Sequence, residues 1–187
     1  YDRHKDILKN GKISDSERDL FHSILNQRAE DAFYLDSIKF LSDIMVKYYN
    51  KNVIILIDEY DVPLENAFHQ GFYTDMVNLI RSVFESALKT NPSLDRAFLT
   101  GCLRVSKESI FTGLNNPQIF SIMSTKFNDS FGFTQEEINV MLECYDLTDK
   151  SSDIAHWYDG YKFNDVDIYN PWSVLNYLSE AAEKSSA

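Results

Sequence analysis

Apolar residues recur at helical spacing through the first fifty residues of this 187-residue chain. One group runs from Leu20 to Leu25 and a second from Ile38 to Tyr48, with polar residues between the apolar ones. Such spacing lines one face of an amphipathic helix. Just before the first group, Ser14 is followed by Glu17, the arrangement of a capping box that starts a helix. The pattern therefore predicts helices before residue 50.

The apolar period changes at Val53–Ile57, where five aliphatic residues follow one another and end at Asp58. Unbroken apolarity predicts a strand buried on both faces, as in a parallel sheet covered by helices. After Pro63, helical spacing as far as Leu88 predicts one long amphipathic helix, and a second buried strand is predicted at 97–100. Strand, helix and strand in this order form a βαβ unit. We therefore expect an α/β fold with a right-handed crossover.

Two helix starts are visible in the last third of the chain. Thr134 and Glu137 have the spacing of a second capping box. Asn170 followed by Pro171 places a capping side chain before a proline at the first helical position. Between them lies the aromatic-rich stretch 157–163. We expect two or three short helices with a small hairpin, forming a lid over residues 131–187 that follows a core of residues 1–130.

Composition restricts the classes of partner. The formal net charge is −11 and the isoelectric point about 4.7, so the surface repels nucleic-acid phosphates and direct nucleic-acid binding is not expected. No apolar run is long enough to span a membrane. The chain begins at Tyr1 without an initiator Met, and its polar start does not resemble a signal peptide. We expect a cytoplasmic piece of a longer protein, without membrane contact.

Chemically active side chains follow both predicted strands. Ligands of open parallel sheets bind beyond the carboxyl ends of the strands. Asp58 and Glu59 follow the first strand, where carboxylates suit Mg²⁺ binding and activation of a water. Thr100, Arg104 and Lys107 follow the second, where a polar residue senses a γ-phosphate and a basic residue offsets developing charge. Each group also has a structural interpretation. The acids after the first strand can cap a helix, and the basic residues after the second can be surface cations of a turn.

The segment Ile54–Leu64 resembles the Walker B segment of the predicted AAA-ATPase-like family of bacterial proteins, whose chains often carry a C-terminal nuclease-like domain. Further strings agree with that family in order and character over about residues 35 to 180: Thr100–Gly101, Arg104–Phe111, Gly113–Asn116, Phe131–Thr134, Trp157–Tyr161 and Tyr169–Ser173. We find no acidic residue two positions before a lysine, which that nuclease site requires.

The resemblance implies a partial P-loop NTPase-type parallel sheet with flanking helices and a mainly helical, winged-helix-like lid. It implies that Asp58 is the carboxylate on the Mg²⁺ side and that Glu59 is the catalytic base. Thr100, Arg104 and Lys107 are the candidates for the sensor. ATP and Mg²⁺ are the cofactors implied for the parent protein. Asp61 and the aromatic stretch also belong to the family pattern, and we interpret both as packing residues of the site wall and lid.

The chain contains no Gly-x-x-x-x-Gly-Lys-[Ser/Thr] string, and its Gly11–Lys12 pair has no glycine five residues earlier. That loop supplies most of the phosphate ligands of such sites. We therefore expect that this piece does not hydrolyse ATP and holds no nucleotide tightly. We also expect an open sheet edge beside the strand at 97–100, where the loop's own strand pairs in related folds, and self-association through that edge.

Two interpretations from other classes remain open. Asp58, Glu59 and Asp61 together form an alternative metal site for phosphoester hydrolysis. Alternatively, the aromatic stretch 157–172 is a docking surface, although aromatic residues at this density more often fill a small core.

Overall fold

The computed structural model describes residues 1–102, 110–111, 114 and 117–185, with backbone alone at 157–159 and 184–185. The chain divides into two compact units, Tyr1–Pro117 and Gln118–Ala187. Each unit has buried apolar clusters of its own. The predicted division into an ATPase core and a lid at residue 130 stays a prediction.

Helices form the beginning of the first unit, as predicted. A 3₁₀ helix covers Asp2–Lys9, and three α-helices follow: α1 Asp15–Leu25, α2 Asp31–Leu35 and α3 Ser37–Tyr49. The capping box at α1 is confirmed, because the Ser14 hydroxyl accepts the Glu17 N–H and the Glu17 carboxylate accepts the Ser14 N–H. The apolar faces of these helices meet in a cluster of buried residues: Ile7, Leu8, Ile13, Phe21 and Ile44.

The first unit contains a parallel pair of strands, β1 Val53–Ile57 and β2 Leu94–Leu99. Leu56 pairs with Phe98 and Ile57 pairs with Leu99. The strand predicted at 97–100 therefore begins earlier and ends one residue sooner than expected. The described residues show a mixed helix and strand architecture with a small two-stranded parallel sheet, which is the coarse form of the predicted α/β fold.

The prediction that β1 is buried on both faces is wrong for this chain. One face is covered, since Ile57 and Leu99 pack against the buried cluster of Leu64, Val77, Phe84 and Ile110. On the other face, Ile54 is 55% exposed, Leu56 is 73% exposed and Phe98 is 54% exposed. An unbroken aliphatic run is compatible with burial of both faces of β1. The described part of this unit covers only one face.

The single long helix predicted between the strands is instead two helices and a π-helical turn. Helix α4 covers Val62–Gln70, α5 covers Tyr73–Phe84, and the turn covers Glu85–Lys89. The break falls at Gly71, whose φ of 84° is the left-handed conformation that ends helices and that glycine adopts at little cost. Apolar spacing continues across this break, so periodicity alone did not reveal it.

The second unit combines helices with a small antiparallel hairpin. Its elements are α6 Gln135–Cys144, a 3₁₀ turn Thr148–Lys150, α7 Ser151–Tyr158, β3 Asp159–Phe163, β4 Val166–Tyr169 and α8 Pro171–Ser185. The second capping box is confirmed at Thr134. Asn170 caps α8 as predicted, since its side-chain oxygen accepts the Ser173 N–H at 3.1 Å. The buried cluster contains Ile138, Leu142, Leu147, Ile154, Tyr169, Val174 and Leu178.

Among the residues that the structure describes, no helix is both long and apolar enough to cross a bilayer.

Candidate functional site

The carboxyl ends of β1 and β2 bring Asp58 and Thr100 into direct contact. Asp58 directly follows β1, and Thr100 directly follows β2. The Thr100 hydroxyl donates a hydrogen bond to the Asp58 carboxylate. The same carboxylate oxygen accepts the Glu59 backbone N–H at 3.1 Å. Because both side chains are exposed, the carboxylate is oriented but remains open to a ligand.

Backbone hydrogen bonds continue past the ends of the strands and hold this corner together. The Thr100 N–H donates to the Ile57 carbonyl at 2.9 Å, and the Tyr60 N–H donates to the Thr100 carbonyl at 3.1 Å. Thr100 is therefore tied through main-chain atoms to Ile57, the last residue of β1, and to Tyr60, three residues further on. The position of Asp58 relative to Thr100 follows from this pairing as well as from the side-chain contact.

Glu59 lies at a sharp turn of the chain. Its φ is 53°, in the left-handed region that non-glycine residues seldom adopt. This turn takes the chain from the end of β1 into α4, and it leaves the Glu59 side chain exposed. Unusual backbone conformations of this kind cost about 1–3 kcal/mol and concentrate at functional sites. Five other described non-glycine residues also have a positive φ, so the conformation positions Glu59 without assigning it a function.

Asp61 differs from the two preceding acids because it is buried, with 5% of its surface exposed. It is the residue before α4, and its carbonyl accepts the Leu64 and Glu65 N–H groups. Its carboxylate lies close to Gly101, where an added Cβ would come within 2.7 Å of the Asp61 Oδ1 atom. Asp61 thus packs against the turn after β2, in agreement with its interpretation as a wall residue.

The three acids do not form a common metal site. Within the described ranges, no group of three or more His, Cys, Asp or Glu side chains is placed to hold a metal ion. Asp58 and Glu59 are exposed whereas Asp61 is buried, so the alternative of a stand-alone three-carboxylate site gains no support. Asp58 as one ligand of a Mg²⁺ that also binds phosphate oxygens and water stays a prediction.

Two of the predicted sensor residues, Arg104 and Lys107, lie outside the described residues. The structure therefore brings together Asp58, Glu59 and Thr100 from the predicted set. The same holds for most of the string Arg104–Phe111, of which Ile110 and Phe111 are described.

Two residues at this corner received no role from the sequence. Gly101 leaves space for its neighbours, because an added Cβ would lie 2.7 Å from the Tyr60 ring as well as from Asp61. Tyr60 packs edge-on against Phe111 with ring centroids 5.2 Å apart, and Phe111 stacks on Phe84 at 6.4 Å. Gly101 ends the apolar segment predicted as a strand at 97–100, and a glycine within a strand pattern indicates close approach of another group, so a signal for Gly101 was available.

The aromatic stretch of the second unit is partly at the surface. Trp172 is 77% exposed and Tyr161 is 56% exposed. The expectation that the aromatic residues fill the core is therefore wrong for Trp172, whereas Tyr169 is buried as expected. The side chain of Trp157 lies outside the described part.

Comparison with known proteins places this site within a family region. The family model described as "Predicted AAA-ATPase" matches residues 6–111, more than half of the chain, and this region includes Asp58, Glu59 and Thr100. A curated relative, an "Uncharacterized protein in vnfD 5'region" from Azotobacter chroococcum mcd 1, is 27% identical over 126 residues. The match covers 67% of this chain and 24% of the relative. No solved structure matches the chain significantly.

Proposed function

Because this chain belongs to the predicted AAA-ATPase family, we propose that the corner formed by Asp58, Glu59 and Thr100 is the magnesium and water side of an ATP site. The observation that carries this proposal is the hydrogen bond from Thr100 to Asp58 across the carboxyl ends of two parallel strands. Ligands of parallel sheets bind at that edge. We propose further that β1 and β2 belong to a P-loop NTPase-type sheet and that the second unit is a winged-helix-like lid.

Each residue of the corner has a distinct role in this proposal. Asp58 presents carboxylate oxygens, which fit a hard cation such as Mg²⁺. Without nucleotide, the single proton of the Thr100 hydroxyl keeps that carboxylate in one orientation. With nucleotide bound, the same proton turns to an oxygen of the terminal phosphate, which makes Thr100 the sensor. Glu59 is exposed next to it and accepts a proton from the attacking water. Mg²⁺ held with ATP at this corner would neutralise charge on the phosphoryl oxygens. Arg104 and Lys107 are the candidate cations for the same edge.

The phosphate loop is proposed to come from outside these 187 residues. No Gly-x-x-x-x-Gly-Lys-[Ser/Thr] string occurs in the chain, and without it the phosphates lose their backbone N–H ligands. We therefore propose that the chain by itself has no ATPase activity and that ATP and Mg²⁺ are cofactors of the parent protein. If the 187-residue chain hydrolyses ATP and Asp58→Ala abolishes that turnover, this part of the proposal is wrong.

The parent protein, expressed from its natural gene, provides the direct test. Glu59→Gln is expected to lower ATP turnover by about 100-fold or more, because a positioned general base contributes about 10²–10⁴-fold. Nucleotide binding by this variant is expected to persist. Asp58→Asn is expected to weaken binding of ATP in the presence of Mg²⁺ more than in its absence. Asp19→Asn removes an exposed carboxylate of α1 and is the matched control. If ATP turnover is unchanged in Glu59→Gln, Glu59 is not the catalytic base.

Exposure of Trp172 favours a second candidate function, an interaction module on the second unit. Leu175, one turn along α8, is also 53% exposed, so the two side chains form an apolar strip. Acrylamide quenching of Trp172 in a Trp157→Phe background tests the premise. Strong quenching, together with unchanged stability of Trp172→Ala, is expected for a docking residue. Weak quenching and a large stability loss in that variant assign Trp172 to the core instead.

A further inference from the structure

Asp61 directly precedes α4 but does not cap it. An acid at this position usually accepts the N–H of the second or third helical residue through its side chain. Here the second residue is Pro63, which has no N–H, and the Leu64 N–H donates to the Asp61 carbonyl at 3.0 Å. The Asp61 carboxylate accepts no hydrogen bond from the described first turn of α4 and lies against Gly101 instead. Capping therefore does not explain why this residue is an acid.

Burial of the Asp61 side chain also needs a reason. Only 5% of Asp61 is exposed, whereas Asp58 and Glu59 are both exposed. Transfer of a polar or charged group from water into the protein costs free energy, which polar contacts offset. An apolar side chain of similar size fills a wall without that cost. Packing alone therefore does not account for a carboxylate at this position.

Tyr60 and Asp61 are the two central residues of a turn that begins at Glu59. The Val62 N–H donates to the Glu59 carbonyl at 3.2 Å, which is the hydrogen bond that closes a β-turn. Both central residues lie against Gly101, where an added Cβ would come within 2.7 Å of the Tyr60 ring and of the Asp61 Oδ1 atom. The turn is therefore seated on the main chain of Gly101 by both of its central side chains.

We propose that Asp61 is a positioning residue for Glu59, the catalytic base of the proposed ATP site on which this inference rests. On one side of Glu59, the Thr100 hydroxyl holds Asp58. On the other side, Asp61 seats the turn on Gly101, which directly follows Thr100. The main chain after β2 thus fixes Glu59 from both directions. A reacting group displaced by about 1 Å can cost about 100-fold in rate.

Steady-state kinetics of the parent protein measure this role. Asp61→Ala is expected to lower kcat for ATP about 10- to 100-fold and to leave KM unchanged, because the ligands of the bound nucleotide stay in place. Asp61→Asn keeps the size of the side chain and its Oδ1 atom, so its kcat is expected to lie nearer that of the natural protein. Val77→Ala removes buried packing from the same unit and is the control. It is expected to lower the urea midpoint without lowering kcat.

A double variant separates positioning of Glu59 from general distortion of the site. Glu59→Gln removes the base, so the orientation of this side chain no longer affects turnover. Asp61→Ala is therefore expected to lower kcat little further in the Glu59→Gln background, although it lowers kcat strongly by itself. A residue with a merely structural role lowers kcat by the same factor in both backgrounds.

A nitroxide spin label at position 59 reports on the turn without ATP and without activity. It is attached to Glu59→Cys in the 187-residue chain, with the exposed Cys102 and Cys144 replaced by serine. Asp61→Ala is expected to increase the mobility of this label, because the turn loses one of its two contacts with Gly101. A label at Asp19→Cys, an exposed position of α1, is expected to keep its mobility.

Four results overturn the proposal. They are an unchanged kcat in Asp61→Ala, an equal loss of kcat in Asp61→Asn and Asp61→Ala, losses that multiply in the double variant, and a label at position 59 whose mobility does not respond to Asp61→Ala. The failure of the proposed ATP site looks different. In that case Glu59→Gln alone leaves turnover unchanged, and the spin label still decides whether Asp61 orders the turn.

Discussion

The hydroxyl of Thr100 donates a hydrogen bond to the carboxylate of Asp58, although 42 positions separate the two residues in the chain. The contact exists because β1 and β2 run parallel as neighbours, so the residues that follow them emerge at the same edge of the sheet. It connects the first predicted group of active residues with the second.

Replacing Thr100 by valine removes the donor to Asp58 and keeps the shape of the side chain. Because both residues are exposed, we expect a loss of about 0.5–1 kcal/mol in the free energy of unfolding. Urea denaturation of the 187-residue chain measures it. Thr100→Ser retains the hydroxyl and is expected to lie closer to the natural protein than Thr100→Val. If Thr100→Ser and Thr100→Val lower the free energy of unfolding equally, the hydrogen bond from Thr100 to Asp58 does not stabilise the corner.

Gly101→Ala is expected to destabilise the first unit by about 1–3 kcal/mol, the usual cost of overpacking. The added Cβ lies 2.7 Å from the Asp61 Oδ1 atom and 2.7 Å from the Tyr60 ring, so at least one of them has to shift. Gly11→Ala is the matched control, since nothing lies within 4 Å of its Cβ. Its effect is expected to stay within about 0.5 kcal/mol. Equal midpoints for both variants in urea contradict the close approach at Gly101.

Gly132→Ala is expected to cost the second unit more than about 2 kcal/mol, because backbone strain and steric overlap add. The φ of Gly132 is 153°, and an added Cβ overlaps the Ile168 side chain and lies 2.9 Å from the Tyr169 carbonyl oxygen. Limited proteolysis within residues 118–185 reports on this unit separately. Gly71 has a φ of 84°, but nothing lies within 4 Å of an added Cβ. Gly71→Ala therefore measures the cost of backbone strain without steric overlap. If Gly132→Ala destabilises the protein no more than Gly71→Ala does, the steric overlap with Ile168 and Tyr169 is contradicted.

The ion pair between Glu17 and Lys47 is expected to make stability depend on pH in the acid range. The hydrogen bond from Lys47 lowers the pKa of Glu17 below its ordinary value of 4.5, and hydrogen bonds from Ser14 act in the same direction against partial burial. A lowered pKa means that the folded state binds this proton less readily than the unfolded state does. The contribution is therefore complete above pH 4.5 and disappears as the pH falls through the folded pKa.

Comparison of the natural chain with Glu17→Gln measures that contribution. The difference in free energy of unfolding is expected to be largest near neutral pH and to shrink below pH 4.5. Asp19→Asn removes an exposed acid of the same helix and is the control for the loss of one negative charge. A difference for Glu17→Gln that does not vary between neutral and acid pH excludes the pair as its source.

The sequence by itself determined the local features of this protein. Both capping boxes, at Ser14 and Thr134, and the start of α8 after Asn170 were predicted and are present. Each depends on hydrogen bonds among residues within one helical turn, so nearby residues carry all the necessary information. The parallel pairing of β1 and β2 also followed from the chain, because a strand that returns through helices pairs in parallel.

Tertiary structure alone decided which faces are covered and which side chains meet. The aliphatic run of β1 is compatible with two buried faces, but exposure of Leu56 depends on what else the fold places there. For the same reason Trp172 lies at the surface and Asp61 in the interior, although composition favoured the opposite for Trp172. The contact between Thr100 and Asp58 likewise requires the strands to be paired in one register. Burial and long-range contact depend on the whole chain, whereas caps and periodicity depend on a few neighbouring residues.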